Sequence, residues 1–282
     1  MGTAVIAGAV WAAFGQGVPL TAQRVHLSPL IARLVQGQPA FTGVDWVFVD
    51  MEHGPYLLDR LETRLADLAK NKKPNGQFPV APIVRIPLEG DEPFRFAVKQ
   101  VLDAGAMGIV FPRIETRAQA VEAVRAMRYP PQSGARYPEP AGRRGWGPGR
   151  AASLWGLQVP DYAFKYADVW PLNPDGELFA VLMIESPDGV RNIDEILGVP
   201  GVGAVHVGAS DLGVSLGVGL PSPQNPPATE AAVQKVIASC RAHKVVCGYP
   251  AVFGGDAEVN KRLSEGFRLL QITGTPPAGQ VR

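Results

Sequence analysis

The stretch Asp45-Trp46-Val47-Phe48-Val49-Asp50-Met51-Glu52-His53-Gly54 passes from an apolar, β-branched run straight into a cluster of acids and a histidine. A run that is apolar at consecutive positions suits a strand buried on both faces, as in a parallel sheet. Chemistry-bearing residues just beyond such a strand fit a barrel, whose active residues stand at the C-terminal strand ends. Ala81–Ile86, Gly108–Phe111, Phe179–Ile184, Ala204–Val207, Val245–Cys247 and Phe267–Ile272 are further runs of this kind. Helical spacing fills the intervals. Leu57–Lys70 keeps Leu58, Leu61, Leu65 and Leu68 on one face, and Pro93–Ala104 keeps Phe94, Val98, Val101 and Leu102. Arg117–Arg128 and Ala231–His243 behave alike.

Repeated βα units with right-handed crossovers give a doubly wound sheet or a closed barrel. A (β/α)8 TIM barrel needs about 250 residues, and 23–282 supplies that length as a single catalytic domain behind a leader, 1–22. For the first strand only Pro39–Thr42 is available, and no helix separates it from the strand at Asp45. An abbreviated first βα unit is therefore expected. The residues 130–177 are rich in Pro, Gly, Arg, Trp and Tyr and lack periodicity. Two readings stay open for this long loop: a lid or binding loop, and a surface insertion in a subunit contact.

Composition excludes some partners. The chain has 282 residues and a formal net charge of +1, and Lys72-Lys73 is too short to be a nucleic-acid footprint, so no nucleic acid is expected. The apolar run Ala4–Phe14 is too short to span a bilayer, so no membrane partner is expected. Cys240 and Cys247 lack metal-type spacing and imply no disulfide framework. For location, a cytoplasmic enzyme and an exported one cleaved after Ala22 both stay open, the latter lacking a positive n-region.

The strand ends yield a short set of candidates. Glu185 and Asp211 follow two neighbouring apolar runs. Paired carboxylates suit a hard divalent cation, which takes oxygen ligands, and with no Cys or paired His nearby a tetrahedral zinc site is disfavoured. Taken alone, Asp211 also reads as a helix cap. The imidazole of His53 fits general acid–base work, although a lone histidine after a strand is more often satisfied by backbone. Strand alternation points Arg85 away from Val84 and Ile86 and into the barrel. There it would hold a carboxylate, steady an oxyanion, or serve as an ion-pair partner.

Six segments occur in order: Asp50-Met51-Glu52-His53-Gly54, Val84-Arg85-Ile86-Pro87, Val101-Leu102-Asp103-Ala104-Gly105-Ala106, Arg128-Tyr129-Pro130-Pro131, Ile184-Glu185-Ser186 and Gly208-Ala209-Ser210-Asp211-Leu212. Together they resemble the HpcH/HpaI aldolase/citrate lyase family. Its members include the 2,4-dihydroxyhept-2-ene-1,7-dioate aldolases, class II pyruvate aldolases related to macrophomate synthase and the citrate lyase β subunit. The resemblance implies a barrel of the phosphoenolpyruvate/pyruvate type and a metal-dependent carbon–carbon lyase working beside a 2-oxo acid through a pyruvate-like enolate. It implies Mg²⁺, Mn²⁺ or Co²⁺ on Glu185 and Asp211, and the substrate carboxylate at the backbone of Gly208, Ala209 and Ser210. It also implies Arg85 on the enolate oxygen, and His53, oriented by Asp103, moving protons. The implied partners are a 2-oxo acid and an aldehyde, in a homo-oligomer (trimer or hexamer). Many relatives carry Gln where this chain has Met183. An acyl-CoA lyase of the citrate lyase β type, with Arg143, Arg144 and Arg150 for the CoA phosphates, and an oxaloacetate decarboxylase remain alternatives.

Overall fold

The structure, a computed structural model, describes residues 25–277 and 279 apart from 222, 223 and 253. The leader 1–22 lies outside the described residues. The strands are β1 (Ala40–Phe41), β2 (Trp46–Asp50), β3 (Ala81–Arg85), β4 (Gly108–Phe111), β5 (Val169–Trp170), β6 (Leu178–Ile184), β7 (Ala204–Val207), β8 (Val246–Pro250) and β9 (Leu269–Gln271). All pair in parallel, in the order β2-β3-β4-β6-β7-β8-β9-β1, with β5 set against the start of β6. One bridge, Thr42 to Trp46, brings the end of β1 to the start of β2. The eight strands on that path make a nearly closed barrel of the (β/α)8 TIM type. The first unit is abbreviated as expected: two-residue β1 leads into β2 with no helix between.

Helices clothe the barrel because the strands, apolar on both faces over most of their length, must be covered on the outside as well as filled within. They are α1 (Pro29–Val35), α2 (Leu58–Lys70), α3 (Arg95–Asp103), α4 (Arg117–Met127), α5 (Gly149–Trp155), α6 (Val159–Asp161), α7 (Pro187–Arg191), α8 (Ile193–Leu197), α9 (Ala209–Ser215), α10 (Pro227–His243) and α11 (Gly255–Ser264). The start of α4 is set by a capping box, Thr116 accepting from the backbone of Gln119 while the Gln119 side chain accepts in return. Glu177, fully buried just before β6, accepts from Leu27 N, Ser28 N and His26 Nδ1 at 3.1, 2.9 and 3.2 Å. That carboxylate moors the segment leading into α1.

Residues 130–177 are more ordered than their composition predicts. They hold α5, α6, a π-helical turn over Tyr162–Tyr166 and β5. The segment leaves the C-terminal end of α4 and returns to the N-terminal end of β6, the barrel end opposite the mouth, and α5 packs on α2 and α3. The lid reading is thereby corrected: chain direction puts this segment at the wrong end to close over the strand C-termini. Trp155 and Tyr162 are buried and meet edge to face at 5.0 Å, with Trp155 Nε1 donating to Gly105 O at 2.9 Å.

Candidate active site

Asp50 and Arg85 stand opposite one another at the ends of β2 and β3. Arg85 turns inward and is only 8% exposed. Its Nε and Nη2 donate to the two oxygens of Asp50 at 3.0 and 2.5 Å, and Nη1 lies 2.7 Å from Glu52. Nη1 also reaches Met183 Sδ at 3.8 Å, so β3 and β6 both aim side chains into the barrel. Burial pushes the Asp50 carboxyl up, but the Arg85 hydrogen bond and charge, with the N–H groups of Glu52 and His53, outweigh it and hold the pKa at about 2. For Glu52 burial wins, and its pKa is raised despite Arg85.

His53 is exposed at the rim. Its Nδ1 lies 2.5 Å from Arg85 Nη2, 3.3 Å from Asp50 Oδ2 and 3.6 Å from Glu52 Oε2. One nitrogen cannot both accept from the guanidinium and donate to the carboxylate. Nδ1 is thus contested between two partners, and the choice decides whether Nε2 is a proton donor or a free base.

Glu185 follows β6 and is almost wholly buried. Arg113 N donates to its Oε1 at 2.6 Å. Arg113 adopts φ +48°, a left-handed backbone uncommon for a residue with a side chain. Gly208, the N-cap of α9, has to be glycine: an added Cβ would sit 2.4 Å from Glu185 Oε2. Asp211 lies exposed in the first turn of α9. Burial above all, then the charges of Asp211 and Glu52, raise the Glu185 pKa to about 7 against the pull of the Arg113 N–H. Glu52 and Asp211 thus raise the proton affinity of Glu185, and such a carboxylate set fits a divalent cation, which removes both the repulsion and the proton. Asp50, Glu52 and His53 also offer ligand atoms within 4.8 Å of one another. The Arg85 guanidinium already stands among them, so Glu185 and Asp211 fit a cation better.

The structure brings His53, Arg85, Glu185, Gly208, Ala209, Ser210 and Asp211 to one mouth, Ala209 and Ser210 opening α9. Asp103 is not among them. As the last residue of α3, it ends a helix that runs down the outside of the barrel, and there it pairs with Lys99 at 2.5 Å and Arg144 at 2.8 Å. The expectation that Asp103 orients His53 is corrected within this chain: Asp50, three residues before His53, occupies that place. Its signal was the Asp-Met-Glu-His spacing on the rim of β2. Arg113 carried no sequence signal, because only backbone geometry gives it a role. The proposed basic patch for CoA is also corrected. Arg144 is buried against Asp103, Arg143 faces Glu122 at 3.5 Å and Arg150 faces Glu62 at 3.1 Å.

A nearly closed parallel barrel with carboxylates, a guanidinium and an imidazole at its C-terminal mouth defines a barrel enzyme of acid–base and metal-assisted chemistry. The family model described as HpcH/HpaI aldolase/citrate lyase matches residues 28–273, and the chain belongs to that family of carbon–carbon lyases. It is 34% identical over 234 residues to the 2-keto-3-deoxy-L-rhamnonate aldolase of Klebsiella pneumoniae, covering 83% of this chain and 75% of that one. It is 37% identical over 179 residues to the hydroxypyruvate/pyruvate aldolase of Deinococcus radiodurans, covering 63% of this chain but only 54% of the relative. Among solved structures it resembles an HpcH/HpaI aldolase/citrate lyase family protein from Burkholderia cenocepacia (TM-score 0.64, 30% identity, 88% of this chain and 85% of that one). It also resembles macrophomate synthase (TM-score 0.58, 25% identity, 81% and 71%).

Proposed function

We propose that this lyase is a class II aldolase that makes or breaks the carbon–carbon bond between a 2-oxo acid and an aldehyde. The observation that carries the reading is the pairing of a carboxylate trio around Glu185 with the Arg85–Asp50–His53 cluster. One set suits a divalent cation, and the other stabilises an oxyanion and moves a proton. A cation such as Mg²⁺, Mn²⁺ or Co²⁺, held by Glu185 and Asp211, supplies Lewis-acid polarisation of the keto oxygen. The protein's own residues supply the rest. The backbone of Gly208, Ala209 and Ser210 receives the substrate carboxylate. Arg85 donates to the keto oxygen as negative charge gathers there in the enolate.

The contested Nδ1 of His53 links these steps. When Arg85 turns an N–H toward the keto oxygen, it releases His53 Nδ1. Nδ1 then takes up a proton from solvent and donates to Asp50, while Nε2 yields its own to solvent at the exposed rim and is left with a lone pair. Substrate binding thus switches His53 into a general base, consistent with an Asp50 that stays ionised throughout.

The test is aldol cleavage and oxaloacetate decarboxylation with and without added divalent metal, on the wild type, Glu185→Ala and Asp211→Ala. Metal-dependent turnover that both substitutions abolish, with the fold retained by circular dichroism, is the expected result. Wild-type turnover and metal affinity in Asp211→Ala would place the site elsewhere. Turnover of oxaloacetate alone would favour a decarboxylase using the same enolate chemistry.

A further inference from the structure

His206 stands at the middle of β7, opposite Met183 on β6 and Gly248 on β8. Alternation sends its side chain to the same face as Gly208, two residues on, so it lies inside the barrel one layer beneath Glu185. It is 2% exposed. Its two strand neighbours, Met183 and Gly248, offer it no hydrogen-bonding side chain. Gly248 is glycine because a Cβ there would fall 2.7 Å from the imidazole Cδ2. Neither Nδ1 nor Nε2 meets a hydrogen-bonding partner among the described residues. Burial, with the positive charge of Arg85 nearby, drives its pKa down to about 3, so the ring is neutral at any working pH. A neutral imidazole carries one N–H and one lone pair. Leaving such a group buried and unpaired costs about 1–3 kcal/mol, a cost that Phe in the same space would not incur. A partner beyond the described residues would offset it. Gly208 is two strand positions beyond His206, a rise of about 7 Å. From one layer beneath the mouth, a single bridging water would link the ring to a substrate there.

We propose that His206 is a positioning residue, whose neutral imidazole anchors a water on the barrel floor that hydrogen-bonds upward to the bound 2-oxo acid. The water fixes how the substrate sits between Arg85 and Glu185. His206 does not exchange a proton with the reacting atoms. This inference rests on the aldolase reading for the identity of the substrate.

The experiment uses the full chain with Mg²⁺, with pyruvate as the bound ligand for spectra and the metal-dependent aldol cleavage assay above for turnover. His206→Phe keeps the ring volume and removes both polar atoms, whereas His206→Gln keeps a donor and an acceptor. We expect His206→Phe to lower kcat about tenfold, with metal affinity by calorimetry unchanged and thermal stability equal or higher, and His206→Gln to stay within about threefold of wild type. The chain has four histidines, so ¹⁵N-histidine spectra resolve them, and the signal lost in His206→Phe identifies His206. Adding pyruvate with Mg²⁺ should shift that signal without protonating the ring. Wild-type kcat and KM in His206→Phe, or a His206 signal indifferent to pyruvate, would make it a core histidine and overturn the proposal. Should His206→Phe fail to fold, the spectra of the wild type and the kinetics of His206→Gln decide alone. If no 2-oxo acid is turned over but pyruvate still shifts the signal, the aldolase reading falls and this one stands.

Discussion

Arg85 shows how one side chain holds a site together before substrate arrives. A buried guanidinium at the barrel mouth would be costly unpaired, and Asp50 and Glu52 pair it at 2.5 and 2.7 Å. As the keto oxygen gains charge, its own hydrogen bond to Arg85 strengthens, so the loss on substitution should appear in kcat more than in KM. Lys keeps the charge but not the planar fork. Arg85→Lys should lower kcat by about two orders of magnitude while metal affinity survives. A rise in KM alone, seen in steady-state kinetics, would reduce Arg85 to a binding residue. Glu185 makes a second prediction. Its carboxyl, ordinarily at 4.5, is raised to about 7 in the fold. A raised carboxylate favours folding below the unfolded pKa and loses that contribution as pH climbs through the folded one. Metal-free protein should therefore lose about 3 kcal/mol between pH 4.5 and 7, at about 1.4 kcal/mol per unit, and Mg²⁺ should restore it. Because the cation displaces that proton, its affinity should fall about tenfold per unit as pH drops below 7. Urea unfolding and calorimetry across pH 5 to 8, with chelator and with Mg²⁺, test both.

Among the strands on the barrel path, the shortest is β1, two residues paired only to β9 before the bridge at Thr42. So short a strand holds little of the barrel shut by its own hydrogen bonds. The neighbouring segment is secured differently, through Glu177 just before β6. Removing that carboxylate leaves two backbone N–H groups and His26 without their acceptor. Glu177→Ala should cost about 2–4 kcal/mol without changing metal affinity per folded molecule. Equilibrium urea unfolding measures it, and a loss below about 1 kcal/mol would mean that water replaces the carboxylate easily.

On the scale of the whole molecule, the large loop does not cover the mouth and does not expose all of its aromatics. Trp155 and Tyr162 are buried, whereas Trp146 is 60% exposed, stacked on Phe164, which is 53% exposed. The expectation of a homo-oligomer thus rests on a smaller apolar surface than the sequence implied, and on the family. Sedimentation at micromolar concentration should give a species heavier than the 30.0 kDa chain, and Trp146→Asp should shift it toward the monomer. A single 30.0 kDa species in the wild type would remove the idea. Among the described residues no helix is long and apolar enough to cross a membrane.

The sequence by itself determined the alternation of strand and helix, because continuous apolar runs and helical spacing are local patterns that tertiary contacts had no reason to override. It also placed the chemistry at the strand ends, since Asp50, Glu52, His53, Arg85, Glu185 and Asp211 each follow or end such a run. The tertiary structure alone decided which of these residues meet. Asp103 looked like a partner for His53 in a shared motif, but helix direction carries it away and Asp50 takes the place. The CoA-binding arginines dissolved into ion pairs with Asp103, Glu122 and Glu62, partners far away in sequence. Arg113 entered through a backbone N–H, which no side-chain pattern announces. His206 read as one residue of an apolar strand and became an unpartnered imidazole only when the barrel closed around it. Local propensity is written along the chain, whereas pairing, burial and proton affinity depend on neighbours that only the closed barrel supplies.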